Sequence, residues 1–141
     1  MRIKKEIITS RTNPLVSSVA ALSKKRERDA RGEFVCDGKK LSFEYIKSCG
    51  APLHIFVLEN RRDELFGYLS ELEKSTGEEL ELTLVGESAF MKMTEQKAPD
   101  GILCVGQRDA LRYERCEYFS GVGAEEERII MLCSLQDSGN V

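Results

Sequence analysis

Residues 33–59 read EFVCDGKKLSFEYIKSCGAPLHIFVLE, and the fold turns on how this stretch divides. EFVCD has the content of a short strand, and Gly38 turns the chain after it. KKLSFEYIKSC then predicts a helix with Leu41, Tyr45 and Cys49 on one side and Gly50 as its stop. LHIFVLE, bounded by Pro52 and by the polar NRRDE, predicts the next strand.

The same alternation continues on both sides. Before it, TNPLVSSVAALSKKRERDARG predicts one helix, with Asn13 as cap, Pro14 in the first turn and Gly32 at the stop. Leu15, Val19 and Leu22 fall on one apolar stripe, while the final two turns, KKRERDAR, are charged and must face solvent. After it come a helix in DELFGYLSELEKSTG with Leu65, Leu69 and Leu72 at helical spacing, a strand in ELTLV and a short helix in ESAFMKM. APDG then turns into a last strand, ILCVGQ. Strands alternating with helices imply a mostly parallel sheet covered on both faces. Residues 109–127 are polar and rich in small and acidic residues, as a linker is. RIIMLC at 128–133 has the continuous apolar character of a strand buried on both faces. The expected boundary therefore falls near residues 110–127.

With 141 residues, 41% hydrophobic and 32% charged, the chain suits one ordinary domain with a real core. No stretch reaches the roughly 18 to 20 apolar residues that a membrane helix needs. MRIKKEIITS has no apolar core of a secretory signal, so the expected compartment is the cytoplasm. The five cysteines, Cys36, Cys49, Cys104, Cys116 and Cys133, form no close pair, and His54 is the one histidine. Zinc and a disulfide framework are therefore not expected; buried reduced thiols are. Residues 1–40 carry eleven Lys and Arg against five Asp and Glu, a balance of +6, and the remainder carries −9. A basic segment on an acidic body points to a localised polyanion site.

Three stretches are candidates for that site. The basic helix end supplies Lys24, Lys25, Arg26, Arg28 and Arg31, with Lys39 and Lys40 nearby, as phosphate contacts; the plain alternative is a solvated face. SRTNP places Arg11 and Asn13 before a helix N-terminus, where an anion is favoured, although ordinary capping explains Asn13 equally well. LQDSGNV puts a polar loop after a strand, where open α/β sheets bind ligands, and a plain turn is its alternative.

Taken in order, these stretches resemble one family. ITSRTNPLVSSVAALSKKRERDARGEFVCDGKKL resembles the opening of the SpoU/TrmH-type RNA 2′-O-ribose methyltransferases. KAPDGILCV is similar to the stretch closing that family's substrate-binding domain, and LCSLQDSGNV to the start of the first motif of its catalytic domain. Asp37 stands where glutamate is common, Cys133-Ser134 where Asp-Gly is common, and Ser138 replaces the usual proline.

The resemblance implies an RNA substrate-binding domain at 1–108, a linker at 109–127, and at 128–141 the first strand and motif loop of a trefoil-knotted α/β methyltransferase domain whose remainder is missing. The first unit should be a three-layer α/β/α sandwich like the ribosomal proteins that bind kink-turn RNA. The parent would transfer a methyl group from S-adenosylmethionine to structured RNA, ribosomal in preference to transfer RNA, as a homodimer formed through the missing domain. Asn140 would be the motif asparagine that helps shape the catalytic site, with its partner arginine and the cofactor motifs beyond Val141, so the 141 residues alone would be inactive. The alternative is a non-catalytic module of the kink-turn ribosomal type. A flavodoxin-like nucleotide binder lacks any Gly-rich phosphate loop.

Overall fold

The structure, a computed structural model, describes residues 1–108. The expected linker at 109–127, the strand and loop at 128–141, and Asn140 with them lie outside the described residues. Five strands form one sheet: β1 (Arg2–Ile3), β2 (Glu33–Asp37), β3 (His54–Leu58), β4 (Glu81–Val85) and β5 (Ile102–Gln107). Their order across the sheet is β1-β4-β3-β5-β2. The helices are α1 (Pro14–Ala21), α2 (Lys25–Arg31), α3 (Lys39–Cys49), α4 (Arg62–Thr76) and α5 (Glu87–Met93).

Two apolar layers make this a three-layer α/β/α sandwich, as expected. On one face Tyr45, Ile46, Leu65, Leu69 and Leu72 of α3 and α4 pack on Cys36, Ile55, Val57, Leu82, Leu84, Ile102 and Cys104. On the other, Val16, Val19 and Leu22 join Ala89, Phe90 and Met93 of α5 over Phe56, Leu58, Leu103 and Val105. Successive residues of β3 and β5 alternate between these layers, as the pleat requires. Each buried Leu, Ile or Phe contributes about 1.5–3 kcal/mol, so the two layers together drive folding.

The sheet is mostly parallel, as expected: β1, β2, β3 and β4 share one direction, and β5 runs antiparallel to both β3 and β2. The reason is connectivity: α5 ends at Met93 and the 94–101 loop brings the chain back into the sheet at the end where β3 finishes, so β5 descends where the others ascend. Strand β1, with the bridge from Ile8 to Val85 that extends it, was not anticipated from the sequence. The N-terminal helix is two helices. The chain breaks at Leu22–Lys24, where Lys24 is extended (ψ 128°) and the Arg28 side chain bonds the Leu22 and Ser23 carbonyls; α2 then leads to Gly32, whose φ of +64° turns the chain into β2.

The apolar stripes also differ from those expected. Val16, not Leu15, is fully buried with Val19 and Leu22. On α3 the buried side is Ser42, Tyr45 and Ile46, and Leu41 is 57% exposed. Ser42 is tolerated there because its hydroxyl donates to the Cys36 carbonyl at 3.0 Å. Leu65, Leu69 and Leu72 are buried as expected, and α5 and β5 keep their expected limits. Cys36 and Cys104 are buried free thiols facing each other across β2 and β5. The hydrogen bond with Cys36, then burial, pushes the Cys104 thiol far up, so it stays protonated.

Candidate nucleic-acid interface

Strands β1 to β4 all finish at the same edge of the sheet, and from that carboxyl edge the chain enters α1, α3, α4 and α5. Gly86 donates its N–H to the Ile8 carbonyl at 2.8 Å, which draws Ser10–Asn13 alongside the start of α5. Asn13 Oδ1 accepts from the Leu15 N–H at 2.9 Å, capping α1, and Pro14 occupies its first turn. The Arg11 carbonyl accepts from Lys92 Nζ at 2.7 Å, while its guanidinium has no partner among the described residues.

The other two stretches singled out in 1–108 meet at this edge. Asp37, at the end of β2, accepts from the Thr94 hydroxyl at 2.8 and 3.0 Å and from the Glu95 N–H at 2.9 Å. Gln96 Nε2 donates to the Asp37 carbonyl at 2.9 Å, and Asp100 Oδ2 accepts from the Lys39 N–H at 3.1 Å. The residues VCDG and KAPDG are thus stitched together. Gly38 is required at that junction, because its φ is +104° and a Cβ would lie 2.7 Å from Gln96 Nε2.

A cavity of about 450 Å³ opens beside this junction, lined by Lys39, Arg61, Glu87, Met91, Lys97 and Asp100 among others. Glu64 pairs with both Lys39 and Arg61, the latter at 3.1 Å, and so holds two cations on one wall. The Lys39 hydrogen bond first, and Arg61 next, keep the Glu64 carboxyl below its ordinary value. Arg61 and Lys97 were not selected from the sequence, since Arg61 stands among the mixed charges of ENRRDE and Lys97 alone in its loop. The rule that ligands sit outside the carboxyl ends of α/β strands would have found them.

The basic helix lies elsewhere. Lys24, Lys25, Arg26, Arg28 and Arg31 sit on or next to α2, whose end reaches the amino end of β2 at Gly32, while Arg28 borders a second cavity together with Asp37 and Glu95. Two of the five are internal fasteners: Arg28 donates to the Leu22 and Ser23 carbonyls at 2.9 and 2.7 Å, closing the end of α1. Arg31 donates to the Ser18 carbonyl at 2.7 Å and pairs with Glu33 at 2.5 Å. Lys25 pairs with Asp29 at 2.5 Å, and Arg108 reaches the same carboxylate at 2.8 Å. Lys24 and Arg26, and Lys40 at the carboxyl edge, have no side-chain partner among the described residues. The expected cations therefore divide into an edge group of Arg11, Lys39 and Lys40 and an α2 group in which, among the described residues, only Lys24 and Arg26 are unengaged.

A family model, the MRM3-like substrate binding domain, matches residues 13–104. None of the curated proteins matches significantly. Among solved structures, a crystal structure of an RNA 2′-O ribose methyltransferase aligns with a TM-score of 0.55 and 19% identity, covering 78% of this chain and 39% of its own. An rRNA methyltransferase from Sinorhizobium meliloti aligns with a TM-score of 0.52 and 20% identity over 77% of this chain and 38% of its own. Its AdoMet-bound form aligns equally well, at 0.52 and 20%, over 75% and 37%. At these identities the likeness is one of fold, and the chain spans under two-fifths of the length of each.

Proposed function

The chain belongs to the family of MRM3-like substrate binding domains, and from that premise we propose that it is the RNA-recognition part of an S-adenosylmethionine-dependent RNA 2′-O-ribose methyltransferase. The match over residues 13–104 carries this reading. The physical support is the gathering of SRTNP, VCDG and KAPDG at one edge, with exposed cations around them. Phosphate contacts of that kind place an RNA without reading its sequence.

The substrate in this reading is structured ribosomal RNA in a cytoplasmic setting, and the parent works as a homodimer. Asn140 helps shape the catalytic site. S-adenosylmethionine carries a sulfonium, an ammonium and a carboxylate. The carboxyl-edge cavity sets three cations, Lys39, Arg61 and Lys97, beside two acids, Glu87 and Asp100, and no residue of it is assigned to that cofactor. No step of the methyl transfer is assigned to residues 1–108; their part is binding and orientation.

Fluorescence anisotropy with a labelled RNA hairpin tests the reading on the 141-residue chain. With about four to six phosphates neutralised, the slope of log K against log salt should be about −3 to −5. Replacing Arg11 and Lys40 with alanine should weaken binding and flatten the slope without loss of stability, because neither side chain holds the fold. Binding that is absent, or independent of salt, would refute RNA recognition.

A further inference from the structure

The carboxyl-edge cavity has a composition that a general phosphate-tracking surface does not need. Three cations, Lys39, Arg61 and Lys97, share it with two carboxylates, Glu87 and Asp100, and with the thioether of the 39% exposed Met91. A site for a bare anion gains nothing from two acids. A ligand with an anionic group, N–H donors and an apolar face uses all three parts. At about 450 Å³ the cavity falls in the range of small-molecule pockets.

The walls are also fixed in place. A Cβ at residue 101 would lie 2.7 Å from Arg61 Cγ, so the glycine there, with φ of +85°, lets the arginine stem lie against the backbone. Glu64 holds the Arg61 and Lys39 heads together, and Asp100 is held by the Lys39 N–H at 3.1 Å. Glu87 and Lys97 have no partner among the described residues, which leaves a free acceptor and a free cation facing the same space.

We propose that this cavity holds one unpaired nucleotide of the RNA, its phosphate between Arg61 and Lys97 and a base bearing an exocyclic amino group, adenine, guanine or cytosine, against Glu87 and Met91. The inference rests on the RNA-recognition reading above and adds a specific subsite to it. Unpaired bases can be splayed into pockets and read on their hydrogen-bonding edges, which a duplex cannot offer. A carboxylate accepts from the exocyclic amino group of any of these three bases, a group that uracil, with its single ring N–H donor, lacks.

The test is an amide-resolved NMR titration of the 141-residue chain with AMP, GMP, CMP, UMP and inorganic phosphate. At least one of AMP, GMP and CMP should shift the amides of Asn60, Arg61, Glu87, Lys97, Ala98, Asp100 and Gly101 saturably, ahead of UMP and well ahead of phosphate. Equal or tighter binding of phosphate, or shifts confined to Lys24–Arg31, overturns the proposal. In parallel, Arg61→Gln should cost about fivefold in affinity for a labelled single-stranded RNA 12-mer. Lys97→Ala, an exposed change that cannot unfold the domain, should reduce the salt slope by about 0.7. If the 12-mer binds, Lys24→Ala with Arg26→Ala weakens it, and neither cavity variant does, the subsite fails while RNA recognition stands. If no RNA binds at all, RNA recognition itself fails and the subsite with it.

Discussion

Replacing Asp37 by alanine should loosen the carboxyl edge before it unfolds the domain. The carboxylate accepts from the Thr94 hydroxyl at 2.8 and 3.0 Å and from the Glu95 N–H at 2.9 Å. Thr94 is only 9% exposed, so its hydroxyl loses an acceptor that water does not readily replace. An orphaned buried donor costs about 1–3 kcal/mol, whereas the exposed Glu95 N–H turns to solvent at little cost. A loss near 2 kcal/mol is therefore expected, and urea unfolding should show a midpoint about 1 to 2 M lower. Asp37→Asn keeps one acceptor oxygen and should fall between. The loop should respond locally as well, because the Asp37 carbonyl and the Lys39 N–H anchor Gln96 and Asp100 from the same turn. Amide exchange at residues 96–101 should accelerate more than at Phe56 or Leu84. An unchanged midpoint, or a lowered midpoint with loop protection intact, would refute the anchoring role.

Gly106→Ala should destabilise by about 1–3 kcal/mol in thermal unfolding, since its Cβ would stand 2.5 Å from Tyr45 Cε2 and 2.9 Å from Phe34 Cζ. Arg31→Ala should cost about 1 kcal/mol by releasing Ser18 and Glu33, while Arg26→Ala should stay within about 0.5 kcal/mol; equal effects would contradict the division drawn within the basic helix. Burial, then Lys4, holds the His54 imidazole below its ordinary 6.5. The unfolded chain therefore takes up a proton first as pH falls, and stability should decline from about pH 6.5 downward until the folded histidine also titrates. His54→Gln should remove that slope, and an NMR midpoint at or above 6.5 would contradict the burial argument. Calorimetric titration of the 141-residue chain with S-adenosylmethionine should show no saturable heat; micromolar binding would mean a cofactor site within these residues.

Much of the fold was legible because its elements carry independent local signals. ESAFMKM and ILCVGQ kept their expected limits, since Gly86 and the APDG turn bracket them, and Leu65, Leu69 and Leu72 mark one face of α4 by their helical spacing. The misreadings share a cause, which is information held by the partner element. Leu41 is the more apolar residue, yet Ser42 shares the buried face of Tyr45 and Ile46, where the Cys36 carbonyl accepts its hydroxyl, and no property of Ser42 alone says so. Likewise KKRERDAR is a good helix continuation, and the break before it goes with bonds from Arg28 to the Leu22 and Ser23 carbonyls that the charge pattern does not announce. For the site, the edge group was legible as separate stretches. Their meeting depends on contacts between residues 57 to 61 positions apart, such as Asp37 with Thr94 and Lys39 with Asp100. Arg28 and Arg31 looked like phosphate ligands because charge alone does not tell a free guanidinium from one bonded to its own backbone.

Strands β1 and β5 have a shared consequence for handling the protein. Arg2 pairs with Glu81, the first residue of β4, and Gln107 pairs with Glu33, the first residue of β2. Residues 2 and 107 therefore both stand at the amino end of the sheet, about a strand's length of 17 Å from the cavity. A dye, a surface tether or a fused domain joined next to either one starts away from the cation-rimmed edge. An immobilised chain would keep that edge facing solution.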